Sequence, residues 1–255
     1  MNDARFSGQT VLMTGAGGAL GRAAAQELSR LGADLVLADR SQDALDGTLA
    51  LCPGARAMAL DVTDPAALDE LARFARDAFG RPVAKLVAAA GILGPKKPLI
   101  EVDEAEYDAI FDVNVKALWR ICARIIPQMR ERGGGSVVLF SSSAGLQAST
   151  LSVYSVTKAA VAMMTRNLAQ NHAAENIRVN CVCPGTIDSP MTDQSVSYAE
   201  GDEARALRRR DIIAAHPMGR MGLPSEVAAA VVFLLDDAAG FTTGTALPVD
   251  GGRLA

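Results

Sequence analysis

The chain has 255 residues, 49% of them hydrophobic and 21% charged, enough apolar material for one large buried core. A net charge of −4 argues against nucleic acid or an anionic membrane surface as the partner. The opening residues MNDARFSGQT lack the apolar segment of a secretory signal, and no apolar run reaches the roughly eighteen residues that span a bilayer. A soluble, cytoplasmic protein with no nucleic-acid or membrane partner is expected.

Short apolar runs of strand type alternate with helix-length segments along the whole chain. The predicted strands are Val11–Thr14, Leu35–Asp39, Ala57–Val62, Leu86–Ala90, Val137–Ser141, Arg178–Val182 and Ala246–Asp250. Each is nearly continuous in apolar residues, as parallel strands covered on both faces require. The predicted helices between them are Leu20–Leu31, Ala66–Phe79, Glu104–Arg132, Ser152–Ala173 and Ser225–Asp236. Alternation of this kind predicts an α/β fold, a doubly wound (Rossmann-type) parallel sheet of about seven strands with helices on both faces. No repeat, low-complexity tract or linker divides the chain, so residues 1–255 are expected to form a single domain.

The first strand runs into Thr14-Gly15-Ala16-Gly17-Gly18-Ala19-Leu20-Gly21 and straight on into a helical segment. Glycines there permit a tight turn and let backbone N–H groups approach a pyrophosphate, whose charge a helix amino terminus favours. Asp39, at the tip of the second strand, can accept hydrogen bonds from the adenosine ribose and repels a 2′-phosphate. That favours NAD over NADP, although the neighbouring Arg40 could grip the same phosphate. The alternative role for Asp39 is to cap the next helix, but Ser41 is at least as well placed for that. Asp61, with Val62 at the end of the third strand, reads as an adenine contact or as a turn residue.

Four cysteines, Cys52, Cys122, Cys181 and Cys183, include one close pair two residues apart on a predicted strand. The only histidines, His172 and His216, fall in no ligand pattern with that pair, so buried reduced thiols and no metal site are expected. From Ser189 to Pro217 the sequence turns polar, at the carboxyl end of a strand where α/β sheets bind ligands. Residues 190–217 read as a substrate-binding lid or as a solvated surface helix. Arg205, Arg208, Arg209 and Arg210 invite an anionic substrate, yet such a run is more often simply solvated. The same holds for Gly94-Pro95-Lys96-Lys97.

The fifth strand ends in Phe140-Ser-Ser-Ser-Ala-Gly145, and nine residues later comes Tyr154-Ser-Val-Thr-Lys158. Tyr154 and Lys158, four apart, share one helix face. An ammonium beside a phenol favours the phenolate, which would make Tyr154 a usable general acid/base.

With these motifs the chain resembles the classical short-chain dehydrogenase/reductase family over essentially its whole length. Thr14-Gly15 through Gly21 is similar to the family's glycine turn. Asn114, in Asp-Val-Asn-Val, resembles the asparagine of the catalytic tetrad, and Ser142, Tyr154 and Lys158 match the other three. Asn180 to Pro184-Gly185 is similar to the stretch flanking the nicotinamide, and Arg220 to Ala228 and Val249-Asp-Gly-Gly252 complete the set. There are three departures. Ala19 replaces the middle glycine of the turn, and Ala88-Ala89-Ala90-Gly91 replaces the family's Asn-Asn-Ala-Gly. The loop from Gly145 to Tyr154 is one residue short. Counting back from Tyr154 therefore selects Ser141, whereas counting from Gly145 selects Ser142; the second is adopted, because the length change belongs in the loop.

The resemblance implies hydride transfer between NAD(H) and a secondary alcohol or ketone. Lys158 holds the nicotinamide ribose and depresses the Tyr154 pKa, Ser142 binds the substrate oxygen, and Asn114 anchors a water-and-lysine proton relay. Thr14, Gly15, Gly17, Gly18, Ala19, Leu20, Gly21, Asp39, Arg40, Asp61, Val62, Ala90, Gly91, Pro184, Gly185, Ile187 and Ser189 would line the cofactor. The rivals are a catalytically silent dinucleotide-binding scaffold and an NADP-dependent ketoreductase. Enoyl reductases usually space tyrosine and lysine more widely, and extended-branch epimerases carry a longer carboxyl-terminal region. Pocket residues are expected from Leu93–Pro98, Gln147–Val153 and Met191–Pro217. A homotetramer is expected because the helices Glu104–Arg132 and Ser152–Ala173 show apolar residues on several faces, among them Ile110, Trp119, Ile121, Val161, Met163 and Met164. The stretch from Phe241 to Ala255 is apolar as well.

Overall fold

The computed structural model describes residues 4–255; residues 1–3, at the start of the polar amino-terminal stretch, lie outside it. Among the described residues the strands are β1 (Thr10–Thr14), β2 (Asp34–Asp39), β3 (Arg56–Ala59), β4 (Lys85–Ala88), β5 (Gly135–Phe140), β6 (Ile177–Pro184) and β7 (Ala246–Val249). They form one parallel sheet in the order β3-β2-β1-β4-β5-β6-β7. The winding reverses between β1 and β4, so the crevice at their carboxyl ends is the topological switch point where such sheets bind ligands.

The helices are α1 (Ala19–Arg30), α2 (Gln42–Leu49), α3 (Pro65–Asp77), α4 (Glu104–Phe111), α5 (Ala117–Glu131), α6 (Ser152–His172), α7 (Pro190–Ser197), α8 (Asp202–Ala214) and α9 (Pro224–Leu235). Because side chains alternate across a strand, each strand feeds two cores. Leu12, Leu86, Val137, Leu139 and Val179 pack with α3, α5 and α6 on one face. Val11, Met13, Leu35, Val87 and Val138 pack with α1 and α9 on the other. A smaller apolar cluster, Leu93, Ile110, Val153 and Tyr154, lies beyond the strand ends.

The departures from the sequence expectation have local causes. The third strand ends at Ala59, not Val62, because Asp61 Oδ1 accepts hydrogen bonds from Thr63 N and Thr63 Oγ1 (2.8 and 2.7 Å), an Asx turn that bends the chain away. The predicted helix Glu104–Arg132 is broken into α4 and α5 by a π-helical turn at Asp112–Lys116. Helix burial also corrects the apolar inventory. Ile110, Ile121 and Val161 are core residues, and Met164 packs partly buried against the core, whereas Trp119 and Met163 remain exposed. All four cysteines are buried and unbridged. No helix of the described residues is long and apolar enough to cross a membrane.

Candidate active site

The turn after β1 is built by backbone proximity. Gly15 has φ +70°, and a Cβ there would lie 2.5 Å from Ala90 N and 2.6 Å from Ala89 C. A Cβ on Gly21 would land on the carbonyl oxygen of Gly15, so the helix can start this close to the turn only without a side chain. Backbone of Ala89 and Ala90 packs against Gly15. Gly18 caps α1 without a side-chain hydrogen bond, and the first turn of α1 holds no acidic residue. A helix start of this kind offers N–H donors and a positive dipole end to an anion.

Asp39 faces this turn from the tip of β2. Its Oδ2 accepts from Gly17 N (3.0 Å) and its Oδ1 from Ser41 N (3.2 Å). The cap of α2 is Ser41, whose Oγ accepts from Ala44 N (3.2 Å), so the Asp39 carboxylate is not the cap of α2. Arg40 is exposed beside it. Two residues that the sequence reading missed brace the turn from behind. Arg22 donates from Nη2 to Gly17 O (3.3 Å) and Ala44 O (3.1 Å), and Thr48 donates to Ala16 O (3.0 Å). Their bonds absorb carbonyls of the turn, whose own N–H groups at Ala16, Gly17 and Gly18 go to Ala38 O, Asp39 Oδ2 and Gly15 O.

At the ends of β5 and β6 the second cluster is almost fully buried: Tyr154 is 8% exposed, Lys158 4% and Asn114 0%. Lys158 Nζ lies 5.5 Å from the Tyr154 ring centroid and donates to Phe140 O at 2.9 Å. Gly145 presses against α6, where a Cβ would sit 2.5 Å from Lys158 C. That contact fixes the strand end against the helix, and the two serines diverge from it. Ser141 Oγ donates to Lys158 O (2.7 Å), whereas Ser142 hydrogen-bonds the Tyr154 phenol and accepts from Ala144 N (3.1 Å).

Asn114 sits in the π-helical turn. Its Nδ2 donates to Ile92 O (2.9 Å) and Thr157 Oγ1 (3.1 Å), and its Oδ1 accepts from Ile92 N (2.8 Å). Both amide hydrogens are thus used, and one lone pair of Oδ1 remains. That oxygen and Lys158 Nζ flank Gly91, whose hypothetical Cβ would lie 3.2 and 3.4 Å from them. Thr157, unmarked in the sequence reading, is what fixes the amide's orientation.

Burial dominates the electrostatics here. It pushes Tyr154 up to about 12, with the Ser142 hydrogen bond acting the other way. It brings Lys158 down to about 8, opposed by the thiols of Cys181 and Cys183 in β6. The depressed tyrosine pKa expected from the sequence is therefore not a property of these side chains alone. Desolvation disfavours both charged forms.

A cavity of about 330 Å³ opens onto Ser142 and Tyr154, with Leu93, Leu151 and Met191 among its apolar lining. Its cover comes from the 190–217 segment, which folds into α7 and α8. Tyr198, just after α7, donates to Gly94 O (2.7 Å), and Thr192 donates to Ile187 O (2.6 Å). The four arginines of α8 do not act together. Arg205 pairs with Asp202 and Arg209 with Asp193, Arg210 is exposed, and Arg208 lines the cavity. Lys97 is held by both carboxylate oxygens of Glu106 (2.8 Å). His216 ties the end of α8 to the loop after β6: its Nε2 accepts from Thr186 N (3.1 Å), and its Nδ1 lies 2.7 Å from Ile212 O. Ser189 donates to Ile187 O (3.1 Å) in that loop, Ile187 is buried, and Pro184 and Gly185 lead into it from β6.

Comparison with known proteins agrees with this geometry. The family described as Enoyl-(Acyl carrier protein) reductase matches residues 15–253. The chain is 35% identical over 250 residues to 2-keto-3-deoxy-L-fuconate dehydrogenase of Xanthomonas campestris pv. campestris, covering 97% of this chain and 81% of that one. It is 33% identical to levodione reductase of Leifsonia aquatica, covering 98% and 96%. A crystal structure of levodione reductase superposes with a TM-score of 0.91 at 32% identity, over 97% of this chain and 98% of that one. Those relatives are named as dehydrogenases or reductases, and members of their family use a nicotinamide dinucleotide. The chain belongs to the classical short-chain dehydrogenase/reductase family.

Proposed function

We propose that the protein transfers hydride between NAD(H) and a secondary alcohol or ketone, with Tyr154 as general acid/base. The observation that carries this reading is the meeting of Ser142, Tyr154 and Lys158 at one buried cluster that opens onto a cavity. The glycine turn fits a dinucleotide, because the close backbone packing at Gly15 and Gly21 lets α1 start directly behind the turn, with no acidic residue in its first turn to oppose a pyrophosphate. The turn from Thr14 to Gly21 would hold the pyrophosphate, Asp39 the adenosine ribose, and Asp61 with Val62 the adenine. Ala90, Gly91, Pro184, Gly185, Ile187 and Ser189 would flank the nicotinamide, which when bound supplies the hydride acceptor or donor.

In the alcohol-oxidising direction the substrate hydroxyl lies between Ser142 Oγ and Tyr154 Oη. Ser142 stabilises the charge developing on the substrate oxygen, and Tyr154 Oη takes the proton. Lys158 supplies positive charge beneath the phenol and favours its deprotonated form. The free lone pair of Asn114 Oδ1 can anchor a water through which the proton leaves past Lys158. An intact set of these groups argues against a silent scaffold. Tyr154 and Lys158, four residues apart, argue against enoyl reduction.

Cofactor choice follows from Asp39, whose carboxylate faces the turn while Arg40 is exposed. With any alcohol that the protein oxidises, kcat/KM for NAD should exceed that for NADP by at least about tenfold, roughly 1.4 kcal/mol. Asp39→Ala should narrow the gap from the NAD side. Equal efficiency in the wild type would mean that Arg40 decides instead.

We also infer a homotetramer. Trp119 on α5, Met163 on α6 and Phe233 on α9 are half exposed and Phe241 is fully exposed; we take the α5 and α6 residues as one apolar patch and Phe233 with Phe241 as another. Two such patches allow two sets of two-fold contacts and a dimer of dimers. Light scattering during size-exclusion chromatography should return a mass near four chains, and a single-chain mass at micromolar concentration would refute the assembly.

A further inference from the structure

The inward face of α8 carries a charge where an apolar residue would be expected. Arg208, Asp211, Ile212 and Ala215 follow the i, i+3, i+4, i+7 spacing of one helix face, and all four line the cavity that holds Ser142 and Tyr154. Leu207, one position away, is 54% exposed to solvent. A helix that only covered the pocket would place the leucine inward and the arginine outward; α8 does the reverse. The Nε of Arg208 is buried without a hydrogen-bond partner, and a buried unpaired donor is costly. Arg208's neighbours on α8 are satisfied, Arg205 by Asp202 and Arg209 by Asp193, but among the described residues no ion pair engages Arg208. A second guanidinium, Arg253 after β7, lines the same cavity and likewise makes no side-chain ion pair among the described residues. Asp211 is the one carboxylate in the lining, so two guanidiniums face one acid and the cavity keeps a net positive charge.

We propose that the substrate is a hydroxy acid, or the corresponding oxo acid, whose carboxylate is bound by Arg208 with Arg253 while its carbinol carbon lies at Tyr154. The proposal rests on the dehydrogenase reading above and adds the substrate class. A guanidinium matches a carboxylate through two parallel N–H···O bonds, and the buried Nε of Arg208 is one of the donors such a fork uses. Asp211 then acts against a dianionic substrate, so a single carboxylate fits best. The apolar lining from Leu93, Leu151, Met191 and Ile212 would cover a short hydrocarbon link between carbinol and carboxylate.

The test uses the full chain, NAD and a spacing series of 3-hydroxybutyrate, 4-hydroxypentanoate and 5-hydroxyhexanoate, each beside its primary amide. The amides keep shape and hydroxyl position and remove only the charge. For at least one member the acid should be oxidised with a kcat/KM at least about tenfold above its amide. Arg208→Gln should abolish that preference mainly through KM, lowering kcat/KM for the acid at least about tenfold more than for its amide, and Arg208→Lys should restore part of it. Amides oxidised as well as acids, in a reaction that needs Tyr154, would overturn the carboxylate assignment and leave the dehydrogenase reading intact. An Arg208→Gln variant that loses acids and amides equally would show a structural role for Arg208 and also overturn it. Failure to oxidise any acid or amide would count against both.

Discussion

Tyr154→Phe should lower kcat by at least about a hundredfold, the lower end of what a positioned general acid/base contributes. The substitution keeps the ring, which packs against Leu93, Ile110 and Val153, so stability should change little. Only the hydroxyl is lost, along with its hydrogen bond to Ser142. The glycine turn and Asp39 are untouched, and NADH should bind as before. The pH dependence should point the same way. Burial holds the Tyr154 phenol protonated through neutral pH, with its pKa pushed up to about 12. Carbonyl reduction, which needs the proton, should fall as pH rises; alcohol oxidation, which needs the phenolate, should increase. A variant retaining more than about a tenth of wild-type turnover in a chemistry-limited assay would remove Tyr154 from the mechanism.

Lys158→Met should also cost at least about a hundredfold in turnover, and it should raise stability. The Lys158 pKa is brought from 10.5 down to about 8 by burial, so the fold binds that proton less tightly than the unfolded chain does. Folding is therefore penalised in full below about pH 8, and the penalty fades as pH rises towards 10.5. The difference between those two values corresponds to about 3 kcal/mol. Leaving the Phe140 carbonyl without its Nζ partner returns about 1 kcal/mol of that. The net effect should be a melting temperature several degrees above wild type at pH 7, shrinking towards pH 10. Melting at or below the wild-type temperature at pH 7 would show that the ammonium is stabilised where it sits.

The sheet was legible because parallel strands covered on both faces leave long apolar runs, and glycine turns and strand tips mark their ends. The break between α4 and α5 was not, since it rests on Asn114 bonding Ile92 and Thr157, partners 22 and 43 residues away in the chain. α2 was legible only at its start, where Ser41 read as a cap, because it is eight residues long and buries little beyond Leu45 and Thr48. In the site, residue types and spacing pointed to Tyr154 and Lys158 and the family resemblance to Ser142, but their electrostatics depend on burial, which sequence does not carry. The arginines of α8 read as one solvated run, because the helix phase that turns Arg208 inward and Arg209 towards Asp193 is set by how α8 docks. Arg22 and His216 were missed for a similar reason: each acts on the backbone of a loop, and neither falls in a spacing that signals chemistry.

The central claim is that these groups carry out hydride transfer, and nicotinamide absorbance reads it directly. Wild type and Tyr154→Phe should be assayed side by side with NAD across a panel of secondary alcohols, including hydroxy acids and neutral analogues, with NADH binding measured on both proteins. Reduced nicotinamide and an equal amount of carbonyl product should appear for at least one alcohol in the wild type. In the variant the signal should fall at least about a hundredfold while NADH binds equally well. Tight NADH binding with no turnover of any alcohol in the wild type, or equal turnover in both proteins, would contradict it.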